Sequence, residues 1–481
     1  MRKLILIFSV AALFMSCSKF DDDLNVSPTA LSEPTTRGLL TNSLQSIPGL
    51  MFGGTAQSRN GSLYTQQLSE GPYPGPSLYN ERTFSFATWY TGPLFNLQKI
   101  IEYNNEGSSF ANPNANGSKD NQLAVARILK AYLFLNMTDR WGDIPYSQAL
   151  QGDKAFSPVY DKQQDIYTDL FKELKEAGAQ IKANEKTVVG DFLLDGDMAA
   201  WKRFANTTRM IMALRLSKVD PAKGKTEYAS AMADGVISSN AQNIDYQFIA
   251  GDPNNYNPWY NNYSVSFRND YAVSTTLTNY MAPKNDPRLK VYAEELSGGA
   301  IKGLPYGRNA AVNIPAAYSR IGDRFRGAGS PLNIYSYAQV LFMMAEAAKI
   351  GYIPGSDATA AVHYANAIKA SWEHYEVYNA TAYAAYIANP SVAYNPAKGY
   401  EQIITEKWVH MFLNGWETWN DWRRTGFPVL VQAADAVDPK GIPRRWSYST
   451  TEKSLNGVNY TAAVAVQGPD NNYTRVWWDK P

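Results

Sequence analysis

Residues 121–146, NQLAVARILKAYLFLNMTDRWGDIPY, decide how the rest of the chain is read. From Leu123 to Met137 the run is apolar on nearly every side, interrupted only by Arg127, Lys130 and Asn136. A helix of that composition has no face left for water, so it is expected to be enclosed by other elements. It is too short and too interrupted to span a bilayer. Trp141-Gly142-Asp143 followed by Pro145 predicts an abrupt stop, because glycine takes up the turn and proline cannot continue a helix.

A chain of 481 residues with 45% hydrophobic residues can fill one or two sizeable cores. Its 45 basic and 44 acidic residues leave a net charge of +1, which provides no field to gather nucleic acid or to hold an anionic surface. The aromatic content is more telling. With 12 Trp and 32 Tyr the chain can supply ring faces that also carry one polar handle, the chemistry of a ligand surface.

At the N-terminus, Met1-Arg2-Lys3 precedes the apolar run Leu4 to Phe14, the pattern of an export signal. Cys17, the sole cysteine, follows directly in Phe14-Met15-Ser16-Cys17, which resembles a loose bacterial lipobox. Residues 1–16 are therefore expected to be a lipoprotein signal peptide, Cys17 the lipid attachment point, 17–30 a flexible tether and 31–481 the folded domain. Each acyl methylene buried in a bilayer contributes roughly 0.8 kcal/mol, so several chains on Cys17 would anchor the protein durably. Ser18-Lys19-Phe20-Asp21-Asp22-Asp23 resembles the acidic signal that directs lipoproteins to the cell surface. With the single cysteine so committed, a disulfide framework, a thiolate zinc site and a cysteine nucleophile are all excluded.

Helical spacing of apolar residues recurs along the chain. It marks an entry helix at Leu39 to Ser46, a helix over Phe84 to Tyr103, and Gln163 to Ala177 as the antiparallel partner of the opening helix. Further amphipathic helices are predicted at Met198 to Val219, Glu227 to Ile237, Ser336 to Ile350, Asp357 to Tyr375 and Lys398 to Leu413. The pair Ser336 to Ile350 and the Ala-rich Asp357 to Tyr375 resembles a tetratricopeptide hairpin, whose small residues let two helices approach closely. The expected fold is mostly α: stacked tetratricopeptide-like helical pairs with long irregular loops and few short strands. Two loops stand out. Gly71 to Pro76 is turn-forming and bears Tyr73, and Gln242 to Arg268 is rich in Asn, Tyr, Pro and Gly without periodicity.

These motifs, taken in order, resemble the SusD/RagB family of outer-membrane nutrient-binding lipoproteins. The resemblance is carried by the core helix with Trp141-Gly142-Asp143-Ile144-Pro145 and by Trp201-Lys202-Arg203-Phe204-Ala205-Asn206 leading to Ala213-Leu214-Arg215-Leu216-Ser217. It continues through Asn285-Asp286-Pro287-Arg288-Leu289, Gly303-Leu304-Pro305-Tyr306-Gly307 and Phe342-Met343-Met344-Ala345-Glu346-Ala347, and ends at 417–426 (ETWNDWRRTG) and Ile442-Pro443-Arg444-Arg445. It implies a cell-surface lipoprotein that captures oligosaccharides and acts as the lid of a SusC-like TonB-dependent β-barrel transporter, anchored by lipid to the outer membrane. A peptide-binding lid of the RagB type, or a surface adhesin using the helical pairs as a groove, are the alternatives.

The chemistry of individual residues is consistent with binding without catalysis. His363, His374 and His410 all fall in predicted helices and form neither HExxH nor a serine-elbow pattern, and no glycine-rich phosphate loop occurs. No catalytic residue, cofactor or metal is implied. Trp419, Trp422, Arg423 and Arg424 are expected to fix a loop on the scaffold through stacking and bidentate hydrogen bonds, and Asp286-Pro287-Arg288 to form a turn with a local ion pair. Candidate ligand-binding residues are exposed aromatics on the two loops: Tyr73 and Tyr79 on the first, and Trp259, Tyr260 and Tyr263 on the second. Sugar rings present C–H faces that lie flat on such rings, while Asn and Arg reach the hydroxyls.

Overall fold

The computed structural model describes residues 34–51, 56–80, 83–105, 113–314 and 317–481. The expected signal peptide, Cys17 and the tether lie outside them. Among the described residues no helix is long and apolar enough to cross a membrane.

The helices of nine or more residues are Thr36–Gln45 (α1), Ala56–Tyr64 (α2), Phe95–Asn104 (α3), Lys119–Trp141 (α4), Gln163–Gln180 (α5), Met198–Arg215 (α6), Pro221–Asp234 (α7), Tyr337–Lys349 (α8), Ser356–His374 (α9), Ala380–Ala388 (α10), Gly399–His410 (α11), Gly415–Thr425 (α12) and Gly457–Gln467 (α13). Strands among the described residues pair only two at a time, in four small ladders. The mostly α reading with tetratricopeptide-like pairing is what the structure shows. α3 packs on α4, α4 on α5, α5 on α6 and α6 on α7, after which α6 meets α8, and α8 packs along α9 and α11.

α4 is the enclosed helix the sequence describes. From Asn121 to Trp141 every residue is buried except Arg127 and Lys130, which stay part-exposed. Asn136 is accommodated because its Nδ2 donates to Tyr132 O at 3.0 Å within the helix. The helix ends where expected: Gly142 adopts φ +82°, and a Cβ there would lie 1.8 Å from Gln467 Oε1. That oxygen accepts the Asp143 N–H, so the corner is sealed by the far end of the chain. In the α8/α9 hairpin Ala345, Ala348, Ala360 and Ala367 are fully buried, and their small side chains set the close approach.

One expected element differs, and one helix is not predicted. The helix read over Phe84 to Tyr103 is interrupted: Thr83–Phe84 is a strand paired with Ser447–Tyr448, and a widened turn at Tyr90–Leu94 precedes α3, because Pro93 lacks the N–H a regular helix needs. The Trp/Arg cluster near the C-terminus sits on a helix, α12, where no element is predicted, and it holds the irregular segment at Pro443 and Arg444. Its residues 416, 419, 420 and 423 recur at helical spacing and are buried together, and α12 crosses α2 so closely that a Cβ on Gly415 would meet Ser62 N at 2.0 Å.

The cluster does have the structural role expected. The Arg423 guanidinium lies 3.6 Å from the Trp419 ring centroid and 4.6 Å from that of Trp478, and it donates to the Asp139 carbonyl at 2.6 Å. Arg424 pairs with Glu346 of α8 and with Asp421. Asp139 itself is the centre of a wider set: it accepts from Tyr167 Oη at 2.5 Å and Trp478 Nε1 at 2.8 Å, and its other oxygen is 3.2 Å from Arg215 Nε. Burial pulls the Arg215 guanidinium down, but Asp139 and Glu417 more than offset it and hold the charge firmly. The Asp286-Pro287-Arg288 turn is likewise an anchor, with Arg288 fully buried 2.6 Å from Asp286 and 2.7 Å from Glu406 of α11.

His374 and His410 are held neutral in the same region. His410 Nε2 lies 2.6 Å from Ser336 Oγ and its Nδ1 2.9 Å from Ser371 Oγ, while Ser336 also caps α8 by accepting from Gln339 N. Asn243 Oδ1 accepts the Tyr337 N–H, so its Nδ2 donates to His374 Nδ1 at 3.0 Å. Burial, reinforced by Arg324 and only weakly opposed by Glu376, pushes the His374 imidazole down to about 4. Burial and the neighbouring His374, Arg288 and Lys407 also lower His410.

Two outcomes follow for stability. Replacing Asp139 by Ala leaves Arg215, Tyr167 and Trp478 short of a buried acceptor and is expected to lower unfolding free energy by about 3–5 kcal/mol. Chemical denaturation measures this, with Glu376→Gln, an exposed partner of Arg324, changing it by less than about 0.5 kcal/mol. Depressed histidine pKa values mean that the unfolded chain binds more protons below about 6.5. Stability is therefore complete above that pH and falls on acidification towards 4, by up to about 1.4 kcal/mol per pH unit for each histidine. A melting series from pH 7 to 5 is expected to show this slope, and His374→Gln to flatten it.

Candidate functional site

The two loops singled out in the sequence are brought together by one short ladder. Leu68–Glu70 pairs antiparallel with Tyr271–Val273, setting Glu70 opposite Tyr271, and the Gly71 N–H extends the ladder to Asp270 O at 2.9 Å. The first loop leaves this ladder through a proline-rich stretch that cannot become helix. It is folded back by the Glu70 carboxylate, which accepts both the Ser77 N–H (2.7 Å) and the Ser77 hydroxyl (2.8 Å). The second loop leads into the partner strand of the ladder. Asn257 starts its short helical turn by accepting from Trp259 N at 2.7 Å, and ties it to the body by donating to Ser330 O at 2.8 Å.

Between them lies a cleft of about 580 Å³. Tyr73 stands on one wall with 66% of its surface exposed. Trp259 lines the opposite side but is 1% exposed, its indole packed edge-on against Tyr271 at 5.4 Å. Asn80, Asn261 and Asn262 add amide groups. The cleft holds two cations and two anions, and they pair: Arg268 Nε lies 2.6 Å from Asp270 Oδ2, and Arg59 Nε 3.8 Å from Glu70 Oε1. The Asp270 hydrogen bond raises the already high pKa of Arg268. The Arg268 guanidinium also reaches across to sit 5.3 Å from the Tyr73 ring centroid.

Of the five aromatics expected to be exposed binding faces, Tyr73 has that character. Tyr79 does not: it is buried, adopts φ +63°, and its hydroxyl accepts the Ala433 N–H at 3.0 Å. It fastens the 431–437 segment to the first loop. Trp259 and Tyr263 are also buried. The Tyr263 hydroxyl donates to Tyr271 O at 2.6 Å, and its ring lies beneath Arg326 and Arg320. Tyr260 is part-exposed, packs edge-on against Tyr256 at 4.9 Å, and is not on the cleft wall. A loop composition shows where repetitive structure stops. It does not show which way each ring turns, and each phenol that found a backbone partner was drawn inward.

Sequence reasoning missed Arg59, Glu70, Arg268 and Asp270. The available signal was proximity, since Arg268 and Asp270 close the second aromatic loop and Glu70 opens the first. A further cleft of about 490 Å³ lies between α3, α4 and α5, where Arg127 grips Glu173 with two hydrogen bonds. Its rings, Phe134 and Tyr146, are already packed edge-to-face at 4.7 Å, so it offers no free stacking face.

A family model described as starch-binding, associating with outer membrane, matches residues 28–449. A solved structure named a chitin-binding protein is 28% identical with a TM-score of 0.79, covering 93% of this chain and 100% of its own. A chitin-binding SusD homologue from Flavobacterium johnsoniae is 26% identical with a TM-score of 0.76, covering 92% and 98%. A SusD homologue from Bacteroides fragilis is 25% identical with a TM-score of 0.78, covering 93% and 100%. A search of curated proteins gives no match.

The two aromatic walls of the cleft are expected to respond differently to truncation. Trp259→Ala opens a buried cavity and should cost about 3–5 kcal/mol of stability, whereas Tyr73→Ala should change it by less than about 0.5 kcal/mol. Thermal melts of the two variants measure the contrast.

Proposed function

The chain belongs to the SusD-like family of outer-membrane-associated binding proteins, and from that premise we propose that it captures neutral oligosaccharides in the Tyr73 cleft and delivers them to a SusC-like TonB-dependent transporter. In this reading the protein is the transporter's lid, held at the cell surface by lipid on Cys17, and it binds its ligand without transforming it.

One observation carries the choice of ligand. An exposed ring stands in a cleft whose charged side chains neutralise one another, with three asparagine side chains around it. A sugar satisfies both halves of that arrangement: its C–H face lies on the ring, and its hydroxyls exchange hydrogen bonds with amides and guanidinium groups. Because these charges pair, the cleft has no net charge that would favour an ionic ligand over a neutral one. The names of the chitin-binding neighbours and the starch-binding description of the family point to the same class.

Binding at an open, wet cleft with one exposed ring is expected at about −4 to −8 kcal/mol, a millimolar to micromolar dissociation constant. Such looseness suits handover, because fixing the lid beside its transporter already raises the ligand concentration at the pore. Titration calorimetry with maltohexaose and N-acetyl-chitohexaose is expected to give saturable binding to the wild-type protein. Tyr73→Ala should weaken it about five- to thirtyfold, the loss of one ring face worth about 1–2 kcal/mol. Binding of a peptide panel with no response to either sugar would favour a peptide-carrying lid instead.

A further inference from the structure

We propose that Phe267 is an outer stacking platform of the same cleft, so that the complete site is read by an oligosaccharide long enough to reach beyond the ring seated on Tyr73. The proposal rests on the carbohydrate reading above and names a residue that selects for chain length.

Phe267 is 83% exposed, and its backbone lies in the left-handed region at φ +51°. Both features are unfavourable for a bulky side chain: the ring stays in water, and its Cβ crowds the backbone in a conformation that glycine or asparagine adopts more readily. The exposure is imposed rather than loose. On one side of Phe267 the Ser266 N–H donates to Asn261 O at 2.8 Å, and on the other the Arg268 N–H donates to Asn262 O at 2.9 Å. Those two bonds pin both neighbours to the preceding turn and leave Phe267 at the apex. Strain maintained by surrounding contacts is a reason to look for a ligand at the residue that bears it.

The apex adjoins the cleft. Ser266 and Arg268, on either side of Phe267, both line it. Arg268 links the two platforms: its Nε is engaged by Asp270 and its guanidinium lies over Tyr73, while its Nη groups have no hydrogen-bond partner among the described residues. They can therefore donate to hydroxyls of a ligand passing from one ring to the other. Phe267 is not itself part of the cleft lining, so Tyr73 and Arg268 give a ring and a donor inside the cleft and Phe267 an exposed second ring on its flank.

The test is calorimetric titration of the full chain with malto- and N-acetyl-chito-oligosaccharides from disaccharide to hexasaccharide. Wild-type affinity is expected to rise with length. Phe267→Ala should leave disaccharide affinity unchanged and remove the gain for the longer members, about fivefold or more, while Phe267→Trp retains it. Phe156→Ala, which removes another highly exposed ring, one whose chain neighbours do not line this cleft, should change nothing at any length. If Phe267→Ala follows the wild-type length dependence while Tyr73→Ala loses binding, the platform is refuted and the carbohydrate site stands. If the wild-type protein binds no sugar in either series, both fall together.

Discussion

The fold depends on a buried carboxylate near the end of its central helix. Asp139 is 1% exposed, and it accepts from or pairs with side chains on α5, α6, α12 and the C-terminal segment, while its own carbonyl takes the Arg423 guanidinium. A charge removed from water is tolerable only when its lone pairs are satisfied, so one geometry of five separate chain segments is strongly preferred over near alternatives. That is a different kind of constraint from the apolar burial along α4, which favours collapse but would tolerate a helix rotated or shifted by a residue. The apolar surface makes the core compact, and the Asp139 set makes it specific.

The same logic repeats at smaller scale. Arg288 between Asp286 and Glu406 joins the turn before residue 289 to α11, and Arg424 between Glu346 and Asp421 joins α12 to α8. In each case a guanidinium reaches two carboxylates from different elements, using the fork of donors that lysine lacks. The tetratricopeptide-like pairs are consequently welded into one body, and the small ladders at their edges inherit a fixed frame.

Much of this frame was legible from sequence. The enclosed α4 follows from an apolar run with two cations, its stop from Gly142 and Pro145, and the α8/α9 hairpin from alanines at helical spacing. What was not legible shares a cause. α12 went unpredicted because tryptophan and arginine dominate it, and neither marks a helix by apolar periodicity alone; its spacing becomes meaningful only once Asp139, Glu346 and Pro443 are known to lie opposite. The cleft was half legible. Composition located both loops, yet Tyr79, Trp259 and Tyr263 turned inward to partners distant in sequence or across a ladder, information that a local reading does not contain.

Under the carbohydrate reading proposed above, the division between inward and outward rings bears on how loose binding can still discriminate. The buried aromatics Trp259 and Tyr263, with the Glu70 and Asn257 caps, hold the cleft walls in place before any ligand arrives, so little ordering entropy is lost on binding. The few exposed groups then contribute modest contacts on a prepared frame. In the proposed site, selectivity would come from what is disfavoured as much as from what is held: internal charge pairing gives ions no net attraction, and the separation of Tyr73 from Phe267 would disfavour ligands too short to bridge them. Weak individual contacts arranged on a stiff support allow release, which tight enclosure would prevent.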